Sequence, residues 1–402
     1  MFTRLTASLA LGVAVTAGLG HAYAAAADDQ AKDQAKQEVQ ELIDGGLAFL
    51  KSQQAEDGAW MSERGAPAYT ALALKAFVQE PAYSTDDDFV KKGYDALLGF
   101  QLADGGIYED LLANYNTAIA LTSLVAAEDE DFAPQIEDAV RYLKRLQWTT
   151  DTIPEHDDEQ KGTQIVQSVD DAFYGGWGYG GRSRGAGRPD LSNTHWSIEA
   201  LRDAGVPEND PAVQRAVAFV TRLQNNAETN PQPWAGNDGG FIYSPNADRT
   251  FESFAGEFVT PDGERRLRSY GSMTYAGYKS MIHAGLTPED PRVAAAREWV
   301  ANNWTLDVNP GMQVADPEKA DWGLYYYYHT LARALNVGEV TTIQTPTGEV
   351  DWRVEFISKM ADLQREDGSW NGDKKWMEDD PVLVTSYVVL ALQEARQSLE
   401  GE

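Results

Sequence analysis

Cysteine is absent from the 402 residues of this sequence. The absence excludes disulfide bonds, cysteine nucleophiles and zinc sites with cysteine ligands. Long hydrophobic runs are also absent beyond the N-terminus, where no segment approaches the roughly 20 apolar residues that a membrane-spanning helix needs. The sequence therefore predicts a chain without a membrane span.

Basic residues are few, with 33 lysines and arginines against 63 aspartates and glutamates and a formal net charge of −30. A field of this sign repels polyanions, which argues against nucleic acid, anionic membrane surfaces and, less strongly, uronate polysaccharides as partners. Three acidic runs, at 86–88, 128–132 and 378–380, lack the spacing of an EF-hand and are typical of solvated loops. We predict no nucleic-acid partner, no metal site and no cofactor.

The N-terminal segment 1–24 contains Arg4, an apolar run and then the small-residue pattern Ala22-Tyr23-Ala24. This order is typical of a secretory signal peptide, and the run is too short for a transmembrane anchor. We expect cleavage near Ala24 and a secreted or periplasmic protein. The mature chain then divides into a polar lead-in at 25–40, either disordered or part of the first helix, and a single domain at 41–398.

A repeat runs through this domain: an apolar helix, a glutamine, a short turn with Asp-Gly or Gly-Gly, and an aromatic residue. Its helix carries apolar residues at helical spacing, for example Ile43, Leu47 and Leu50, which predicts one buried face. The most regular copies are Gly46–Trp60, Gly93–Tyr108 and Val354–Trp370, and shorter copies lie at 139–148 and 216–224 with their glycine-aromatic halves displaced to 174–181 and 237–243.

A second helix follows each turn and has an early threonine in a small, apolar run. The six threonines are Thr70, Thr117, Thr194, Thr274, Thr330 and Thr385. Because these second helices are apolar on most sides, we expect them to form an inner layer that the amphipathic first helices surround. The pattern predicts an all-α fold, an (α/α)6 toroid of six helical hairpins in a closed ring. The alternative, an open α-solenoid, would leave the apolar second helices exposed.

The repeat resembles the Gln-Trp repeat of squalene cyclases. The alternation of inner and outer helices is similar to the toroid of terpenoid cyclases, protein prenyltransferase β subunits and thioester-containing complement-type domains. The resemblance, to prenyltransferase and squalene oxidase repeat proteins, covers nearly the whole mature chain and implies the fold. It does not by itself imply an activity, because this fold carries many functions.

The catalytic motifs of these enzymes are not intact in the sequence. Squalene cyclases use an Asp-x-Asp-Asp motif, and the nearest string here has Asp170 and Asp171 but Ser168 in the first position. Prenyltransferases hold zinc through Asp, Cys and His; His329 in "YYHT" resembles their histidine, but there is no cysteine and no acid in Ser269–Tyr275. Thioester domains need a Cys-Gln pair. The sequence therefore leaves open whether the protein is an enzyme.

Candidate site residues follow from the threonines, because the residues before and after each of them should surround the opening of the toroid. A slip of one residue in this register would rotate every assignment by about 100°. Repeats three, four and five carry the polar groups and the long aromatic loops, whereas repeats one, two and six carry mostly small or apolar groups at these positions. The candidate catalytic residues are His329, His195, Tyr275, Asn193, Asp170 and Asp171. The candidate ligand-binding residues are Trp177, Tyr179, Trp196, Tyr243, Arg268, Tyr270, Tyr326 and Tyr327.

Several functions are consistent with such a site. The first is binding of an unknown ligand or partner in an aromatic-lined cavity, with an isoprenoid or another apolar molecule as one ligand class. A second is a cyclase- or transferase-like enzyme that acts on an apolar substrate. A third is a polysaccharide lyase-like enzyme, in which Asn193 or Arg268 neutralises a uronate while His195 or Tyr270 moves a proton. A non-catalytic scaffold for a protein or cell-envelope partner is the remaining alternative.

Overall fold

The computed structural model describes residues 10–60, 67–150, 165–181 and 187–401, with side chains described from residue 30. The described residues form twelve α-helices: α1 (Ala10–Ser52), α2 (Pro67–Val78), α3 (Asp88–Leu98), α4 (Ala113–Ala126), α5 (Ala133–Leu146), α6 (Leu191–Asp203), α7 (Pro211–Thr221), α8 (Gly271–His283), α9 (Pro291–Asn302), α10 (Leu324–Val337), α11 (Trp352–Leu363) and α12 (Pro381–Glu400).

The even-numbered helices form an inner layer. Each even-numbered helix contacts the next even-numbered helix along the chain, and α12 contacts α2. Almost all residues of α2 are buried, whereas α5 buries only Ala139, Tyr142 and Leu143. The odd-numbered helices therefore lie outside and give one face to the core, as the contrast between apolar and amphipathic helices predicts. All six repeat threonines lie in the even-numbered helices.

Four small antiparallel hairpins occupy the loops between helices, and the sequence pattern did not predict them. They pair β1 (Trp177–Gly178) with β2 (Pro189–Asp190), β3 (Ser244–Pro245) with β4 (Phe251–Glu252), β5 (Glu257–Val259) with β6 (Arg265–Leu267), and β7 (Thr342–Thr345) with β8 (Gly348–Asp351). Their strands are two to four residues long, so they add local structure to the loops while the chain remains mostly helical.

Five of the six repeat threonines connect a turn to an inner helix. The Oγ1 of Thr194 accepts the backbone N–H of Trp177 at 3.1 Å and donates to the Asp190 carbonyl at 2.7 Å. The same acceptor contact joins Thr70 to Trp60, and it recurs with Thr117, Thr274 and Thr385. The threonines are therefore conspicuous in the sequence because they satisfy buried backbone groups of the aromatic turns.

Helix α1 extends through the predicted lead-in, and Ala35 and Val39 of that segment are buried in the core. The predicted cleavage position near Ala24 also falls within α1, at residues whose side chains are not described, and it stays a prediction. No described helix combines the length and apolar character needed to span a bilayer.

Candidate functional site

A cavity of about 250 Å³ lies at the N-terminal ends of the inner helices. All six inner helices or the loops that lead into them contribute to its wall. Seven of the lining residues are tyrosines, namely Tyr69, Tyr115, Tyr179, Tyr243, Tyr270, Tyr326 and Tyr387. The others are Leu112, Ser192, Phe254, Ser272, Met273, Trp376, Met377, Glu378 and Leu383. The wall is thus mainly aromatic, which favours apolar ligands.

Hydroxyl groups in this wall are paired with one another. The Tyr115 and Tyr387 hydroxyls lie 2.7 Å apart, and Ser192 Oγ lies 2.9 Å from the Tyr326 hydroxyl. The Tyr326 hydroxyl also contacts Nε2 of His195. Burial raises the pKa of Tyr115, Tyr326 and Tyr387. Their hydroxyl groups are therefore neutral near pH 7, where they donate and accept hydrogen bonds but carry no charge.

A layer of stacked rings lies next to the cavity wall. The ring of His329 is stacked between Trp196 and Tyr387, with centroid distances of 5.2 Å to each. Neither ring nitrogen of His329 has a hydrogen-bond partner among the described residues. Burial, followed by the nearby charge of Lys279, lowers the pKa of His329 to about 3 and that of His195 well below its usual value. Both histidines are therefore neutral at physiological pH.

Buried charges lie between the C-terminal halves of four inner helices, α2, α6, α8 and α10. Glu199 of α6 contacts Lys279 of α8, and it lies 3.4 Å from Arg333 of α10 and 3.9 Å from Lys75 of α2. Burial alone would raise the pKa of Glu199, but the three cations outweigh it and hold the pKa well below the usual range. Asp203 and Glu394 balance Arg333, each at 3.0 Å. This cluster and the stacked side chains occupy the space beyond the N-terminal ends of the inner helices, where the cavity lies.

Glu378 is the one acid among the described residues that line the cavity, and no lysine, arginine or histidine lines it with them. The side chain is 1% exposed, and its Oε1 accepts the backbone N–H of Tyr326 at 2.7 Å, in the first turn of α10. Burial raises the pKa of Glu378 to about 8 in spite of the backbone N–H groups of α10. The carboxyl is therefore largely protonated at neutral pH.

The interpretation of 378–380 as a wholly solvated loop is wrong for Glu378. Asp379 and Asp380 follow it in an acidic run, so the sequence gives the impression of an exposed loop. The fold turns this residue inward instead, because the loop from Asp373 to Asp380 passes over the N-terminal end of α10. The aromatic neighbour Trp376, directly before the sixth inner helix, was the available signal that this loop faces the cavity.

The predicted ligand-binding residues separate into two groups. Tyr179, Tyr243, Tyr270 and Tyr326 line the cavity, and Trp196 belongs to the adjacent stacked layer. Three others lie outside the lining: Trp177 donates through Nε1 to the Leu143 carbonyl at 2.7 Å, Tyr327 donates to the Thr305 carbonyl at 2.8 Å, and Arg268 lies 4.9 Å from the ring centre of Phe258.

None of the predicted catalytic residues is among the described lining residues. His195 and His329 lie directly behind the wall, and Tyr275 packs edge-on against Tyr327 with ring centres 5.6 Å apart. Asn193 donates through Nδ2 to both carboxylate oxygens of Asp190, at 3.1 and 2.9 Å, where Asp190 caps α6.

Asp170 and Asp171 lie in a turn away from the cavity. Asp170 is exposed, and Asp171 accepts the backbone N–H of Phe173 at 2.9 Å and lies 3.5 Å from Arg249. The prediction that either carboxylate takes part in catalysis has no support from this placement and stays a prediction. Residues 151–164 and 182–186, in the chain between α5 and α6, lie outside the described residues.

Repeats one, two and six contribute more to the cavity than the sequence predicted. Tyr69, Tyr115 and Tyr387 come from α2, α4 and α12, and Glu378 comes from the loop before α12. The register analysis missed Tyr115 and Tyr387 because they stand two residues from their threonines, not one. On an α-helix this difference rotates a side chain by about 100°.

No protein-family model matches the chain, and no curated protein matches it. Solved structures of the type II terpene cyclase MstE from Scytonema are similar in fold. One MstE variant in complex with geranylgeranyl dihydroxybenzoate has a TM-score of 0.55 at 13% identity, over 91% of this chain and 99% of that chain. Apo MstE has a TM-score of 0.51 at 13% identity, over 90% and 99% of the two chains. The likeness shows a terpene-cyclase-like fold.

Proposed function

We propose that this chain is an exported (α/α)6 toroid that binds a small, largely apolar molecule, such as an isoprenoid unit, in its aromatic cavity. The observation that supports the proposal best is the lining: nine aromatic side chains and a single acid that is neutral near pH 7, with no cation among the described lining residues. Aromatic faces bury apolar chains, and a wall without a net charge does not oppose this.

The size of the cavity limits the ligand. Its volume of about 250 Å³ lies just below the roughly 300–1,000 Å³ of pockets for drug-sized molecules. A short prenyl unit, a single ring system, or one end of a longer chain is therefore the expected occupant. Tyr179, Phe254 and Trp376 are each more than a third exposed, so a longer ligand would extend past them.

An enzyme that acts on an apolar substrate is the second candidate, and the buried acid Glu378 favours it. A carboxyl group that is protonated at neutral pH is suited to general acid catalysis, and a cavity wall of aromatic rings stabilises cations. Lyase-like chemistry on a uronate is less well supported, because Arg268 packs against Phe258 and does not line the cavity.

The proposal is tested by native and denaturing mass spectrometry of the purified mature protein, together with a variant that fills the cavity. Met273 lines the wall and is 3% exposed. The larger side chain of Met273→Trp should therefore fill part of the cavity and abolish the binding of any co-purified or added apolar ligand. Val314→Trp, at a position that is 57% exposed, is the matched control and should bind like the wild type.

Equal ligand release from both variants would place the ligand elsewhere and contradict the proposal. A protein that releases nothing and gains no thermal stability from any apolar compound would favour a protein or cell-envelope partner instead. Detection of a converted product with an added isoprenoid would favour the enzyme.

A further inference from the structure

The two oxygens of the Glu378 carboxyl have different surroundings. Oε1 accepts the backbone N–H of Tyr326 at 2.7 Å. Oε2 is buried as well, but it has no hydrogen-bond partner within the described part of the chain. Buried polar atoms in proteins are nearly always paired, so an unpaired carboxyl oxygen in a cavity wall indicates a group that a ligand completes.

The position of the proton follows from this asymmetry. The carbonyl oxygen of a neutral carboxyl group is a better acceptor than its hydroxyl oxygen, so the N–H of Tyr326 on Oε1 favours the form with the proton on Oε2. The neutral carboxyl therefore has one unpaired O–H donor, on a residue that lines the cavity among aromatic rings.

The groups around Glu378 keep it neutral. Burial is the largest influence on its pKa, and Asp373 on the same loop raises the pKa further. From α10 the facing groups are backbone N–H donors, which lower the pKa without reversing the shift. The hydroxyls that α4 and α12 contribute, Tyr115 and Tyr387, have raised pKa values and are neutral. No cation on these elements is among the described residues that line the cavity.

We infer that Glu378 is the polar anchor of the ligand: its Oε2–H donates a hydrogen bond to an acceptor oxygen, such as a hydroxyl, ether or carbonyl oxygen, on an otherwise apolar molecule. This inference rests on the proposed function and narrows the ligand class. A pure hydrocarbon would leave the carboxyl O–H of Glu378 unpaired, whereas an oxygenated molecule would pair it.

An organic ammonium ion is the competing ligand class, because aromatic rings together with a carboxylate also bind such cations. It would require Glu378 to ionise inside the cavity. The burial that raises its pKa opposes this, and the two ligand classes predict opposite pH dependence.

Three probes with one carbon skeleton separate these cases: geranyl methyl ether, geranylamine and the hydrocarbon that lacks the ether oxygen. The ether oxygen accepts hydrogen bonds and donates none, so it cannot bind to the ionised carboxylate as a hydroxyl group could. The dissociation constants of the three probes are measured by calorimetric titration at about pH 6.5 and about pH 9.5. The ether should bind more tightly than the hydrocarbon at the lower pH. Because only the neutral acid donates, the affinity for the ether should fall by up to about 30-fold at the higher pH, where about 3% of the carboxyl is neutral.

Glu378→Gln is the diagnostic variant. Its amide oxygen can still accept the Tyr326 N–H and its Nε2 can donate to the ligand, but it does not titrate. It should therefore bind the ether with nearly the same affinity at both pH values. This comparison also accounts for Asp190, a buried acid whose pKa is raised to about 7, because Asp190 is unchanged in the variant.

The possible outcomes are distinct. Equal affinity for the ether and the hydrocarbon, or a pH dependence that persists in Glu378→Gln, would overturn the role of Glu378 while leaving apolar binding intact. Preference for geranylamine that increases with pH would overturn it in favour of a cation. Failure of all three probes to bind would remove the proposed function itself. If Glu378→Gln does not fold, the probe comparison on the wild type still shows whether an oxygen is preferred. The midpoint of its pH dependence, near 8 for Glu378 or near 7 for Asp190, then shows which acid is responsible.

Discussion

The side-chain amide of Gln364, near the C-terminus, donates a hydrogen bond of 3.1 Å to the backbone carbonyl of Leu42 in the first helix. The same bond recurs along the chain: Gln54 donates to Phe89, Gln147 to Ala212 and Gln224 to Arg292, at 2.8 Å in each case. Each of these glutamines follows an odd-numbered helix and bonds to the start of the next one. Gln364 makes this bond from α11 to α1, the last and the first outer helix.

Replacing a buried glutamine of this set should destabilise the fold. In Gln224→Leu, the carbonyls of Gly239 and Arg292 lose donors at 2.9 and 2.8 Å. We expect the free energy of unfolding to fall by about 1–3 kcal/mol, since buried carbonyls remain unpaired. Urea denaturation measures the change. Gln53→Leu, at an exposed position, is the control, and an equal loss in both variants would contradict the structural role of Gln224.

The turn glycines can be tested with a matched pair. Gly175 has a φ of +88°, and an added Cβ would lie 2.0 Å from the Arg215 carbonyl oxygen. Gly263 has a φ of +86° but no atom within 4 Å of an added Cβ. Both alanine variants have the strain of the left-handed conformation, about 1–2 kcal/mol. Only Gly175→Ala must also displace a neighbouring helix, so its melting temperature should be clearly lower than that of Gly263→Ala. Similar melting temperatures would contradict this, because they would show that the contact between the added Cβ and the Arg215 carbonyl oxygen does not lower the stability.

The buried charge cluster should respond strongly to the loss of one cation. Lys279→Met removes the fully buried partner of Glu199, and we expect a loss of about 3–5 kcal/mol in the free energy of unfolding. The double variant Lys279→Met with Glu199→Gln should recover part of it, because no uncompensated carboxylate remains at that position.

The control for this cluster is the exposed pair of Lys359 and Asp307, which lie 2.7 Å apart. Lys359→Met should change the stability by less than about 1 kcal/mol, because solvent screens such pairs. An additive effect of the Lys279 and Glu199 substitutions in denaturation experiments would contradict the coupling between them.

The buried histidines should make stability depend on pH between about 7 and 5.5. The pKa of His329 is lowered to about 3, so the unfolded chain, with a histidine pKa of about 6.5, binds the proton first as the pH falls. The contribution of a neutral buried histidine is therefore present above pH 6.5 and is lost as the pH falls towards the folded-state pKa. His329→Phe, which keeps an aromatic ring between Trp196 and Tyr387, should lose about 1 kcal/mol less than the wild type over this interval.

The measurement for His329 is the urea midpoint of both proteins at the two pH values. Asp190 and Glu378, whose pKa values are raised to about 7 and about 8, make stability rise as the pH falls, which opposes the effect of the histidine. Because both acids are present in both proteins, their effect cancels when the pH dependence of the variant is subtracted from that of the wild type. The same pH dependence in the wild type and the variant would show that His329 does not titrate as proposed.

The helical repeat was predictable from the sequence because its determinants are local. Apolar spacing marks the helices, Asp-Gly marks the turns, and a threonine in a small, apolar run marks each inner helix. The short hairpins were not predictable by this route, since strands of two to four residues have no detectable period.

The candidate site was predictable only in part. Tyr179, Tyr243, Tyr270 and Tyr326 line the cavity, and the aromatic loops indicated them. His195 and His329, selected for their positions beside threonines, instead lie behind the wall, because one residue along a helix changes the facing direction by about 100°.

The sequence by itself determined that this protein alternates amphipathic and apolar helices joined by glycine-aromatic turns, since these depend on residues close together in the chain. Only the tertiary structure decided which side chains meet. Glu378 lies in an acidic run that indicates solvent, yet it is 1% exposed and bonded to the first turn of a helix that begins 54 residues earlier, at Leu324. The residues of a buried site come from segments that are distant in the chain and meet only in the folded protein. The local sequence around each residue does not specify which segments meet.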